Sequence, residues 1–89
     1  MIKREVVVLN EKGLHARAAA KVVNVANKFK SKIELIKDSH IGNAKSIISL
    51  LILAASQGQK LELIIDGIDE EIACQAILDL FNNKFNEEQ

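Results

Sequence analysis

Two hydrophobic periods alternate along this chain, and the order in which they alternate leaves few folds open. Ile33 and Leu35 take turns with Lys32, Glu34 and Lys37, and Leu61, Leu63 and Ile65 take turns with Lys60 and Glu62. That period of two belongs to strands with one wet face. Between them the period lengthens. Ala19, Val22, Val23, Ala26 and Phe29 keep helical spacing, and Ile72, Ala76, Ile77, Leu80 and Phe81 mark the buried stripe of a last helix opened by Asp69-Glu70-Glu71. Valine-rich residues 2–9 add a first strand that stops at the turn-prone Asn10-Glu11-Lys12-Gly13, and Asp38-Ser39 supplies a tight turn into a short strand at 40–42. The order β-α-β-β-α-β-α with short connections predicts an α+β domain, a mainly antiparallel sheet with helices packed on one face. With 89 residues and no linker, repeat or low-complexity tract, residues 1–89 form a single domain with one modest core.

The middle helix has an unusual composition. Ser46 stands in the N-cap position, Gly58 is placed to end the helix near Ser56, and residues 47–55 are apolar on every side except at Ser49. On a helical projection Ile47, Leu50, Leu53 and Ala54 share one side, and Ile48, Leu51, Ile52 and Ala55 the other. A short helix on a small domain cannot bury both. One side belongs to the core, and the other is expected to be an exposed apolar patch open to a partner.

Composition narrows the function classes. The longest uninterrupted apolar run, residues 50–55, is far below the roughly 20 residues of a membrane span, so no insertion into a membrane is expected. The single Cys74 reads as a small buried hydrophobe and suits a reducing cytoplasm, and no export signal is visible at the N-terminus. The formal charge is zero but unevenly placed: residues 1–45 carry 10 basic and 4 acidic side chains, residues 46–89 carry 2 and 8. An acidic protein partner docking on the basic half is therefore favoured over nucleic acid. The three aromatics, Phe29, Phe81 and Phe85, sit where core residues are needed and leave no stacking platform for bases. Glycines 13, 42, 58 and 67 form neither a P-loop nor a dinucleotide fingerprint, and no Cys or carboxylate accompanies a histidine at ligand spacing; no cofactor and no metal are expected. His40 reads as a solvent-facing strand residue, and Lys21, Lys28, Lys30 and Lys32 as a solvated surface near the first helix.

The chemistry concentrates at Gly13-Leu14-His15-Ala16-Arg17, where a loop gives way to an alanine-rich helix. Neutral imidazole is a nucleophile, and much of it is neutral near physiological pH. At a helix start the ring lies beside unpaired backbone N–H groups and the positive end of the helix dipole. A phosphoryl group carried on His15 would be steadied by the N–H groups of Ala16, Arg17 and Ala18 and by the Arg17 guanidinium.

These residues, with Ala44-Lys45-Ser46-Ile47 and the closing helix, resemble the histidine-containing phosphocarrier (HPr) family of the bacterial phosphoenolpyruvate:sugar phosphotransferase system. The likeness runs through essentially the whole chain. It implies an open-faced β-sandwich, a four-stranded antiparallel sheet with three helices on one face. It also implies that His15 accepts a phosphoryl group on Nδ1 from phosphorylated enzyme I and hands it to enzyme IIA domains of sugar permeases, as a carrier without turnover of its own. Arg17 would stabilise the phosphate, and Ile47, Ile48 and Leu51, with the neighbouring Ile52, would dock partners. Ser46 matches a residue that, in many Gram-positive and some other bacteria, is phosphorylated by a dedicated kinase, the HPr kinase/phosphorylase, which makes the carrier a regulator. Two readings stay open beside sugar uptake: a nitrogen-branch carrier, and a regulatory protein acting through Ser46. A monomer is expected. One residue departs from the family's usual Gly-Leu-His-Ala-Arg-Pro, for Ala18 stands where proline is common, which bears on the stiffness of the first helical turn.

Overall fold

The computed structural model describes residues 1–87. In chain order they form β1 (Ile2–Val7), α1 (Ala16–Ala26), β2 (Lys32–Lys37), β3 (His40–Asn43), α2 (Ile47–Ile52), β4 (Lys60–Asp66) and α3 (Glu70–Asn82), followed by a single tight turn at Lys84–Asn86. The four strands make one sheet in the order β1-β4-β2-β3, and every neighbouring pair is antiparallel. In the register Leu63 of β4 stands opposite Leu35 of β2, and Leu61 opposite Val6 of β1. The alternating apolar residues Val6, Ile33, Leu35, Leu61, Leu63 and Ile65 are buried, together with Ala18, Ala19, Val22 and Ala26 of α1 and Ala73, Cys74, Ile77, Leu80 and Phe81 of α3. This is the open-faced sandwich with its helices on one face.

Asp38 and Ser39 both take positive φ, 49° and 71°, the backbone of a two-residue hairpin turn that follows the twist of its strands. At Gly42, opposite Leu35, a Cβ would lie 3.0 Å from a Leu53 methyl and 3.1 Å from the Ser49 carbonyl oxygen. The glycine lets α2 lie almost on the backbone of β3.

Three expectations need correction. The middle helix ends at Ile52 and not near Ser56, because Leu53 and Ala54 donate to the carbonyls three residues back and Ala54 turns left-handed at φ 50°. Lys37 closes that end, its Nζ donating to the Leu53 and Ala54 carbonyls at 2.9 and 3.1 Å. The early ending also changes the inward set: Leu50, Leu53 and Ala55 are buried, whereas Ile47 and Ala54 face solvent. In α3 the buried stripe contains Ala73 and Cys74 in place of Ile72 and Ala76. At 3.6 residues per turn Ile72 lies about 140° from the centre of the face set by Ile77, Leu80 and Phe81, and it is 64% exposed. As expected, α3 opens at Asp69, whose side chain makes no capping bond. Its carboxylate accepts the N–H groups of Lys30 and Ser31 at 2.8 and 2.9 Å and the Ser31 hydroxyl, which ties the start of α3 to the loop before β2. The Ser31 hydroxyl, then the Lys30 N–H, hold its carboxyl below the usual aspartate value.

Candidate functional site

The loop before α1 is shaped by Gly13. Its φ of +70° belongs to the left-handed region, and a Cβ there would sit 2.5 Å from the Ala55 carbonyl oxygen. Leu14 is buried and donates its N–H to that same oxygen at 2.9 Å. Residues 13 and 14 are thus clamped to the chain leaving α2, and His15 follows at a fixed place. Its backbone is extended, with φ −79° and ψ −179°, and its carbonyl accepts the Ala19 N–H at 2.8 Å, the first bond of α1. The His15 side chain gives no capping bond. The first-turn N–H groups of Ala16, Arg17 and Ala18 therefore keep their lack of intrahelical acceptors. A run of alanines, the strongest helix formers, lets α1 start without a cap.

The residues expected at this helix start are brought together there. Ala16 and Arg17 are exposed, Ala18 is buried beneath them, and the Arg17 guanidinium pairs with no described residue. An open helix N-terminus with an exposed arginine in its first turn and an imidazole at its N-cap position offers donors for an anion beside a nucleophile.

Three further residues were not legible as parts of the site. The His15 side chain is 27% exposed, and its Nε2 meets Oε2 of Glu87 in a short contact. Oε1 of Glu87 accepts Nδ2 of Asn10 at 2.8 Å, and the same Nδ2 group donates to the Gly13 carbonyl at 2.8 Å. Asn10 is fully buried, and its Oδ1 has no partner among the described residues. Lys21, expected to be solvated, donates Nζ to the Phe85 carbonyl. Phe85 packs edge to face on Phe81 at 4.9 Å between ring centres, and Lys84, Phe85 and Asn86 all take positive φ, so the chain leaves α3 by doubling back toward His15. Asn10 and Glu87 are separated by 77 positions; only a polar loop residue and an acidic C-terminal stretch hint at the meeting.

Ser46 stands apart from this cluster. It caps α2, its Oγ accepting the Ser49 N–H at 3.3 Å. The His15 loop abuts Ala55 at the other end of α2, roughly 9 Å of helix away at 1.5 Å per residue. Between them lies the apolar patch: Ile47, Ile48, Leu51 and Ile52 are 40, 72, 39 and 70% exposed. It is continuous along α2, and α2 packs against α1. His40 lies exposed on β3, and Cys74 is buried in the core. No described helix is long and apolar enough to cross a membrane.

A small α+β domain with a histidine at an open helix start, and an apolar patch on the adjoining helix, is the build of a protein that carries a group between partners. Comparison with known proteins agrees. The family model described as "PTS HPr component phosphorylation site" matches residues 2–83. The phosphocarrier protein HPr of Treponema pallidum is 49% identical over 88 residues, 99% of this chain and 100% of that protein. That of Xylella fastidiosa is 48% identical over 88 residues, 99% of each. A crystal structure of HPr from Thermoanaerobacter tengcongensis superposes with a TM-score of 0.95 at 44% identity, covering both chains completely. The chain belongs to the HPr family, the phosphocarriers of the phosphotransferase system.

Proposed function

We propose that His15 is the residue that carries the phosphoryl group, on Nδ1, and that Arg17 with the N–H groups of Ala16, Arg17 and Ala18 binds it there. The observation that carries this reading is the uncapped start of α1: the histidine occupies the N-cap position without filling it, so the donors that a capping side chain would take stay available to phosphate. The donor is phosphorylated enzyme I and the acceptors are enzyme IIA domains of sugar permeases, which supply the rest of each transfer site; the chain has no turnover of its own. The exposed Ile47, Ile48, Leu51 and Ile52 dock these partners, and the basic excess of residues 1–45 steers acidic surfaces toward them. The carrier works as a monomer in the cytoplasm. Phosphorylation of Ser46 by a kinase would place charge beside the docking patch, at the end of α2 away from the histidine, and so act on partner choice and not on the chemistry.

Incubation with enzyme I and labelled phosphoenolpyruvate tests the central point. The label is expected on His15 as a phosphoramidate lost in acid and stable in base, and absent from His15→Ala. Full labelling of that variant, or label on His40, would refute it.

A further inference from the structure

Glu87 sits against the ring nitrogen opposite the one assigned to phosphate, and we propose that it is a positioning residue for phosphotransfer, keeping His15 protonated at Nε2 with the Nδ1 lone pair bare. The inference rests on the reading of His15 given above and deepens it.

A carboxylate only accepts hydrogen bonds. With Glu87 Oε2 against Nε2, the proton of the neutral ring belongs on Nε2, since the partner of one imidazole nitrogen decides the state of the other. Nδ1 makes no hydrogen bond to a described residue. The arrangement parallels the aspartate that sets the histidine tautomer in a serine hydrolase triad. Here the transfer proceeds as follows: the Nδ1 lone pair attacks the phosphorus of an N-phosphorylated donor protein, the new N–P bond forms as the old one breaks, and the bonding pair stays on the donor nitrogen. No proton has to leave His15 first. The ring, still carrying Nε2–H, gains positive character that faces the Glu87 carboxylate, and the reverse step discharges it.

The contact is built in. Asn10 offers its one NH2 group to both Glu87 and the Gly13 carbonyl, linking the carboxylate to the loop that aims His15. Phe85 is fully buried and tied by Lys21, which anchors the approach to Glu87 from two sides. Burial alone would raise the Glu87 carboxyl, but the bonds from Asn10 and His15 and the Lys21 charge, joined by the His15 charge when the ring is protonated, outweigh it and hold it below the usual glutamate range. It is ionised wherever the carrier works.

The experiment uses the full chain as wild type, Glu87→Ala and Glu87→Gln. Nitrogen-15 NMR of the His15 ring reads the tautomer, and rapid-quench transfer from phosphorylated enzyme I reads kcat and KM. In the wild type the neutral ring is expected almost wholly as the Nε2–H form. Glu87→Ala is expected to mix the tautomers and lower kcat about tenfold, the usual scale for losing an orienting partner of a histidine, with KM little changed. Glu87→Gln keeps the shape without the charge and is expected to slow kcat by a smaller factor at an unchanged melting temperature. An unchanged tautomer and kcat in both variants would reduce Glu87 to a strap, and a rise in KM alone would make it a docking residue; either overturns the proposal. A wild type that takes no label on His15 would instead overturn the reading beneath it.

Discussion

Helices α1 and α2 pack against each other and start in opposite ways. Both are preceded by an extended residue in the N-cap position, His15 and Ser46. Ser46 turns its hydroxyl back to the Ser49 N–H, so its side chain stabilises the helix it begins. His15 turns away to Glu87 and leaves its helix uncapped. A cap is worth about 1 kcal/mol, and α1 forgoes it at the place where we propose that the phosphoryl group is held. At α3 a third solution appears, for Asp69 serves the loop before β2 while Glu70 accepts the Gly67 N–H at 3.1 Å. The difference between the first two starts separates a helix end closed by its own side chain from one whose first-turn donors stay open.

His15→Ser breaks the comparison most directly, because it gives α1 the cap that α2 already has. Phosphotransfer is expected to vanish, while the melting temperature stays within about 4 °C of wild type, the cap gain offsetting the lost Glu87 contact. A fall of more than about 8 °C would mean that His15 is a structural residue of the helix start.

The next test separates the two sides of α2. Leu50 is fully buried and Leu51 is 39% exposed. Leu50→Glu buries an unpaired charge and is expected to abolish cooperative unfolding. Leu51→Glu is expected to leave stability within about 1 kcal/mol while weakening binding to enzyme I at least tenfold, measured by calorimetry. Equal damage from both would erase the distinction between core face and docking face.

Ser46→Ala removes the closed cap. A loss of about 1 kcal/mol in chemical unfolding is expected, with the rate of transfer to His15 unchanged, because the His15 loop touches the other end of α2. A transfer defect at constant stability would join two regions that the fold holds apart.

What could be read from the sequence follows from how local each signal is. Strand alternation at residues 32–37 and 60–65, the Asp38-Ser39 turn, the Ser46 cap and the open start at His15 depend on neighbours within a few positions, and the structure keeps each of them. The errors arose where distant packing decides. Ile72 looked buried because it is large and apolar, but the smaller Ala73 and Cys74 lie on the face that α3 turns to the core. Gly58 looked like the end of α2, yet contact with Gly13 and Leu14 requires the chain to leave earlier, at Ala54. Asn10, Lys21 and Glu87 were invisible as a unit because their meeting depends on a doubling back of the chain after α3 through three left-handed residues, none of them glycine. Local propensity argues against that conformation, and the burial of Phe85 outweighs it.

The smallest expected effect concerns Ala18, the third residue of α1, fully buried and without an intrahelical acceptor for its N–H. Proline there would restrict the unfolded chain and add about 0.4 to 1 kcal/mol, at the cost of one donor. In the unphosphorylated protein that donor has no intrahelical bond to lose, so Ala18→Pro is expected to raise the melting temperature by about 2–6 °C. In the phosphorylated protein the same change removes a charge-assisted bond, worth about 1.5 to 3 kcal/mol, and the gain should shrink or reverse. Thermal unfolding of both forms, with amide exchange at residue 18 in the parent protein, measures the difference. Equal shifts would mean that the open start of α1 holds phosphate through Ala16, Arg17 and the guanidinium alone, and that its uncapped third donor is a by-product of placing a histidine where a serine would have closed the helix.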